Sequence, residues 1–145
     1  MLIGQYVGSV AEKKQVAFPK KFRDEFGDSL VLTKGIDQNL VVVKKENWET
    51  LLEGTDGSPF IRKDIRETQR FLLGNAVEVD LDKKGRFIIP EYLRVHAGID
   101  KEVVFVGVKR FVEIWSKTAW ESEQERLSGS ISVTTERIGE KENHE

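Results

Sequence analysis

Asp82-Lys83-Lys84-Gly85-Arg86 combines residue types that suit a tight turn able to hold an anion. An aspartate that opens a turn can accept hydrogen bonds from the backbone amides ahead of it, and Gly85 can take a positive φ without steric penalty. Lys83 and Lys84 stand at the tip, where ammonium groups can neutralise phosphates and release their counterions. Arg86 follows four residues after Asp82, at the base of the next strand. There its planar fork can pair with Asp82, or address a phosphate or the O6/N7 edge of guanine. The same spacing fits a solvated hairpin turn with a local salt bridge. A weaker version lies upstream, in Ala11-Glu12-Lys13-Lys14-Gln15, which keeps two lysines but has no Asp, Gly or Arg. Gln15 can still hydrogen-bond to a base edge or phosphate, without a charge to contribute.

Other chemistries find little support. There is no cysteine, which excludes disulfides, zinc–thiolate sites and a thiol nucleophile. The two histidines, His96 and His144, have no partner at metal-ligand spacing, so no metal and no cofactor are expected. Asp80 and Asp82 bracket the turn, but no carboxylate is matched with a base in a catalytic motif, and no enzyme activity is expected. The longest apolar runs, such as Val103–Val108, fall far short of the roughly 20 residues that span a bilayer. The start, MLIGQYVGSV, lacks the basic and apolar regions of a secretory signal. A cytoplasmic protein with no membrane partner and no small-molecule substrate is the expectation.

The two turns belong to an internal duplication. Residues 11–24, AEKKQVAFPKKFRD, align with 82–95, DKKGRFIIPEYLRV, at an offset of 71 that superimposes Pro19 on Pro90, Arg23 on Arg94 and Gly27 on Gly98. After a one-residue insertion, LVLTKGIDQNLVVVKKENW matches VVFVGVKRFVEIWSKTAW and ends on Trp48 and Trp120.

Each copy predicts the same elements. A strand (Tyr6–Val10; Val77–Leu81) leads into the turn and a second short strand (Val16–Phe18; Phe87–Ile89). Proline then opens a short helix (Lys20–Phe26; Glu91–Ala97) that the glycine stops. Two β-branched strands follow (Leu30–Thr33 with Leu40–Val43; Val103–Val106 with Val112–Trp115), and a closing helix starts near Glu46 or Lys117. About 45 residues cannot bury a sufficient core alone, so the two copies should complete one core between them. Lys20, Lys21, Arg23 and Arg94 fall on the short helices, where they either flank a ligand or solvate the surface. His96, at a helix end, suits a favourable dipole interaction.

Between the copies, Ser58-Pro59 reads as a helix start, with Ile61, Ile65, Phe71 and Leu72 on one face and an end near Gly74. That face suits packing on the body of the fold or a subunit interface. After Leu127 the apolar period is lost, and SGSISVTTERIGEKENHE reads as a flexible acidic tail.

The ordered set of motifs also resembles a known family. The pattern D-x-x-G-R, three apolar residues and Pro, then a short helix, is similar to the AbrB/SpoVT-type DNA-binding domain. Two copies in a chain of this length resemble the MraZ family of bacterial transcriptional regulators of the division and cell-wall gene cluster. Gly74-Asn75-Ala76, Ile88-Ile89-Pro90, His96-Ala97-Gly98-Ile99 and Glu113-Ile114-Trp115 strengthen the match, which covers residues 1–127. The resemblance implies an α+β, mainly β fold: a swapped-hairpin, AbrB-like barrel formed by two tandem repeats with added helices. It divides the chain into a repeat at 5–48, a helical connector at 49–75, a repeat at 76–119, the end of a closing helix at 120–127 and a tail at 128–145.

It further implies a ring-shaped homo-oligomer on short direct repeats in promoter double-stranded DNA. The family's Asp and Arg signature falls on Asp82 and Arg86. In the first copy Ala11 and Gln15 stand in their places, so that arginine contact is absent there. The expected DNA-binding residues are Lys13, Lys14, Gln15, Lys83, Lys84 and Arg86, with Asp82 and Gly85 shaping the turn. An antitoxin-like interaction module, built on the same barrel, is the alternative.

Net charge conceals a division. The whole chain is −2, yet residues 121–145 carry seven acids against three bases, leaving +2 on the other 120 residues. Segment 11–24 has five bases and two acids, and segment 82–95 four and two.

Overall fold

The structure, a computed structural model, describes residues 1–54 and 57–144, with side chains described to Lys141. Thr55 and Asp56 of the connector and Glu145 of the tail lie outside the described residues. The elements run β1 (Leu2–Ser9), β2 (Gln15–Ala17), α1 (Lys20–Phe26), β3 (Ser29–Lys34), β4 (Leu40–Lys44) and a 3₁₀ helix (Lys45–Leu52). They continue with α2 (Lys63–Gly74), β5 (Val77–Asp80), β6 (Arg86–Ile88), α3 (Glu91–Ala97), β7 (Glu102–Lys109), β8 (Val112–Ser116) and α4 (Lys117–His144).

Strand pairing carries the duplication into space. The large sheet has the order β1-β7-β8-β4-β3-β5, and β2 pairs with β6 in a separate ribbon. Exchanging each strand for its counterpart (β1 for β5, β3 for β7, β4 for β8) reverses this order onto itself, which is the signature of a pseudo-twofold. Register obeys it too: Tyr6 faces Phe105 in one copy-to-copy pairing and Val77 faces Leu32 in the other. The first strands of each copy thus hydrogen-bond to the other copy. That swap accounts for the single shared core, since each copy lends its leading strands to its twin. The large sheet keeps two open edges, β1 and β5, so strand pairing does not close it into the expected barrel. The ribbon, only three residue pairs long, covers one side of the core as a separate layer.

Between sheet, ribbon and the short helices lies one apolar core. Phe18, 1% exposed, meets Phe22, Phe26, Phe87 and Phe105 at ring-centroid distances of 5.1–6.3 Å. Such pairs add roughly 0.5–1.5 kcal/mol each to simple burial. Core volumes complement rather than repeat: Phe26 corresponds to Ala97, and Leu32 to Phe105. The shared core thus holds side chains of different volume at equivalent positions of the two copies.

Three helical elements differ from the sequence reading. The connector helix begins at Lys63, not at Ser58-Pro59, because residues 58–62 form a turn in which the amides of Ile61 and Arg62 bond back to the Ser58 carbonyl. Ile61 therefore precedes the helix and is 79% exposed, while Ile65 and Leu72 form its buried face. In the first copy the closing element is a 3₁₀ helix with non-helical backbone at Asn47. In the second it is α4, which does not end near Leu127 but runs through the acidic tail to His144. Ser116 caps its start by accepting the Ala119 amide at 3.1 Å. Beyond Leu127 the helix continues without an apolar stripe, and Ser128, Ser130 and Thr135 return their hydroxyls to carbonyls one turn earlier.

Candidate nucleic-acid interface

The second turn is tied by its aspartate through five hydrogen bonds. The Asp82 amide donates to the Arg86 carbonyl (3.0 Å) and its carbonyl accepts the Gly85 amide (2.9 Å). Its Oδ1 accepts the Lys84 and Arg86 amides, both at 2.9 Å, and its Oδ2 accepts Arg86 Nε at 2.8 Å. The Arg86 amide, its guanidinium and the Lys84 amide hold the Asp82 carboxyl below the ordinary aspartate range, against the opposing pull of desolvation. The two side chains are 43% and 36% exposed, so the ion pair itself adds little stability. What it does is aim the arginine. Only Nε is engaged, and among the described residues the two terminal nitrogens have no partner. The fork is left free for a planar, bidentate acceptor.

The first turn keeps the backbone without the anchor. The Ala11 amide donates to the Gln15 carbonyl at 2.8 Å, and the Lys14 amide to the Ala11 carbonyl at 2.9 Å. Lys14 occupies the position of Gly85 and takes the same left-handed conformation, φ +62° against +76°. Ala11 has no side chain to hold the amides, and Gln15 has no aspartate to hold it.

Both turns feed the β2–β6 ribbon. Gln15 pairs with Ile88, Val16 with Phe87 and Ala17 with Arg86. Val16 and Phe87 point into the core, so Arg86, Ile88 and Ala17, with half-buried Gln15, form the outer face. Gln15 and Arg86 are diagonal neighbours there, roughly 7–8 Å apart. The turns leave from opposite ends of the ribbon, so the pseudo-twofold brings them to one face rather than side by side. Lys13, Lys14, Lys83 and Lys84 are all exposed, and among the described residues none has an ion-pair partner. A two-stranded ribbon with a guanidinium and an amide on its outer face, flanked by four free ammonium groups, has the width and polarity that the major groove admits.

Residues beyond the motif support this face. Arg23 of α1 lies across the second turn, where a Cβ on Gly85 would press on the movable end of its side chain. Gly85 is favoured by its φ, and the contact joins the two copies. Arg94, the counterpart in α3, donates Nη1 to the Ile89 carbonyl at 2.7 Å. Their common place in the duplication was the available sequence signal, but the packing of α1 on the opposite copy's turn was not readable from it. His96 reaches the first copy's β3–β4 loop, with Nε2 3.1 Å from the Gly35 carbonyl oxygen and 3.2 Å from that of Asp37. Its role includes tying the copies together, beyond a helix-end interaction.

Comparison with known proteins places the chain in a family. A family model described as "MraZ protein, putative antitoxin-like" matches twice in tandem, over residues 3–71 and 72–139. The chain is 45% identical over 140 residues to the transcriptional regulator MraZ of Caldanaerobacter subterraneus subsp. tengcongensis, covering 97% of this chain and 95% of the relative. It is 41% identical over 141 residues to the protein of that name from Acetivibrio thermocellus, and 38% over 141 residues to that of Clostridium tetani, each covering 97% of this chain and 96% of the relative. The duplication, the swapped strand pairing and these full-length similarities lead to one conclusion: the chain belongs to the MraZ family.

Proposed function

We propose that this chain is a sequence-specific DNA-binding transcriptional regulator that reads duplex DNA with the outer face of the β2–β6 ribbon. The observation that carries the reading is Arg86, buttressed by Asp82 through Nε and presenting an unpaired fork beside exposed Lys83 and Lys84. The lysines would hold phosphates and set register, while Arg86, assisted by Gln15, would read base edges. The regulatory names of the relatives support it. We extend the proposal to binding short direct repeats upstream of the division and cell-wall genes, at the nucleoid, as a ring-shaped homo-oligomer. One strong reader per chain suits repeated sites, where linked weak contacts gain avidity. The open edge β1, with Ile3 66% and Val7 62% exposed, supports self-association.

Selection of bound sequences from a random duplex pool, followed by a salt titration of the winner, tests this reading. An enriched repeated motif and affinity that falls steeply with salt are expected; no motif and a flat salt response would overturn it.

A second reading has one specific support. The description of the family model names an antitoxin-like protein, and α4 exposes Ile131, Val133 and Ile138 along its tail. Co-purification of a small toxic partner that depends on these side chains would favour an interaction module instead.

A further inference from the structure

The outer face of the β2–β6 ribbon carries two unlike pairs of side chains. The Phe18 amide donates to the Gly85 carbonyl at 2.8 Å, and the Ile89 amide to the Lys14 carbonyl at 3.4 Å. Hydrogen-bonded and non-hydrogen-bonded pairs alternate along an antiparallel ladder. Gln15–Ile88 and Ala17–Arg86 are therefore the non-hydrogen-bonded pairs, with Cα atoms about 4.5 Å apart and side chains closest across the strands.

The duplication makes these two pairs counterparts: at the offset of 71, Gln15 stands for Arg86 and Ala17 for Ile88. The hydrogen-bonding side chain and its apolar neighbour have changed together. Beside the guanidinium of Arg86 lies only the methyl of Ala17. Beside the carboxamide of Gln15 lies Ile88, 53% exposed, while the adjacent Phe87 takes the core position. An exposed isoleucine is ordinary by itself. This one lies against a carboxamide that makes no hydrogen bond among the described residues, on the face flanked by Lys13, Lys14, Lys83 and Lys84.

Base-pair chemistry distinguishes the two ends. In the major groove adenine offers N7 and N6 to a glutamine, and its thymine partner offers a 5-methyl group to an apolar side chain. Guanine offers O6 and N7 to an arginine, and its cytosine partner has no methyl group. Gln15 with Ile88 matches the first pair, and Arg86 with Ala17 the second. The diagonal from Gln15 to Arg86, roughly 7–8 Å, equals about two base-pair rises of about 3.4 Å. We propose that the ribbon reads an asymmetric site, in which Ile88 covers a thymine methyl and Gln15 takes adenine, about two base pairs from the G·C pair addressed by Arg86. This inference rests on the DNA-binding reading above and adds Ile88 as a specificity-determining residue.

The test changes the DNA rather than the fold. The full chain is titrated by fluorescence anisotropy with the duplex it selects from a random pool, and with copies in which one thymine at a time becomes deoxyuridine, losing only its 5-methyl group. One such change, about two base pairs from the guanine whose preference Arg86→Ala loses, should weaken binding about three- to fivefold. Ile88→Ala should bind the thymine and deoxyuridine duplexes alike. Replacing an adenine at that step by 7-deazaadenine should weaken the parent about fivefold and leave Gln15→Ala unaffected. Ala11→Asp with Gln15→Arg should exchange the preference there for G·C, and bind that exchanged duplex more tightly. If no deoxyuridine weakens binding, or Ile88→Ala still tells thymine from uracil, the proposal is overturned while the ribbon remains the DNA-binding face. A parent chain that selects no duplex overturns the DNA-binding reading, and this inference with it.

Discussion

Lys14 and Gly85 occupy one position in two turns of identical backbone, and both are left-handed, at φ +62° and +76°. Glycine adopts this conformation freely, whereas a lysine there costs on the order of 1 kcal/mol. Lys14→Gly should therefore raise stability by about 0.5–1 kcal/mol in thermal or urea unfolding. Gly85→Ala should lower it by about 1–3 kcal/mol, since a Cβ adds strain and meets Arg23. Equal and small effects at both positions would contradict this view of the turns.

Arg86→Ala should weaken binding to a selected duplex by about 1–3 kcal/mol, or roughly 5- to 150-fold, the range of a bidentate base contact. Lys83→Ala and Lys84→Ala should act differently, weakening selected and scrambled duplexes alike and flattening the salt dependence. Fluorescence anisotropy at several salt concentrations separates the two behaviours.

Asp82 gives a pH dependence of defined sign. Its carboxyl is held below the ordinary aspartate value, so the order it imposes is present above about pH 4 and is lost as pH falls through the lower folded value. The amide resonances of Lys84 and Arg86 should report this loss together. In Asp82→Asn that shared acid transition should vanish.

The first turn can be given the second's chemistry. Ala11→Asp with Gln15→Arg installs the anchor and the guanidinium on a backbone that already has the required shape. The double variant should bind DNA more tightly than the parent, by about tenfold, and Gln15→Arg alone should gain less because nothing aims the new side chain. A gain from Gln15→Arg that Ala11→Asp does not increase would remove Asp82 from its aiming role.

Much of this was legible beforehand. The prolines at 19 and 90 and the glycines at 27 and 98 marked α1 and α3, both found with the expected bounds. Alternating and β-branched residues marked part of each strand, but β1 begins four residues before the expected Tyr6 and β7 runs from Glu102 to Lys109, and the Asp82-to-Arg86 spacing located the anchored turn. The open sheet was not legible, because local residues do not record whether distant edges meet. Nor was the tail helix, because past Leu127 no apolar period marks it. Lys14 gave no signal of its left-handed backbone, since sequence marks that conformation only where glycine is used.

Glu113 should shape stability in the opposite sense to Asp82. Its carboxyl is raised by burial, so its favourable neutral form is fully present below the ordinary glutamate value and is lost as pH rises through the folded one. Glu113→Gln should thus unfold at a higher temperature than the parent near neutrality, with the difference disappearing in acid.

The central claim, that the anchored arginine of the second turn reads DNA sequence, is tested most directly by one titration. A duplex selected from a random pool and a scrambled control are each titrated with the parent chain and with Arg86→Ala. The account predicts that the substitution abolishes most of the preference for the selected duplex while leaving scrambled binding nearly unchanged. Undiminished preference in Arg86→Ala, or a parent chain that selects no duplex at all, would contradict it.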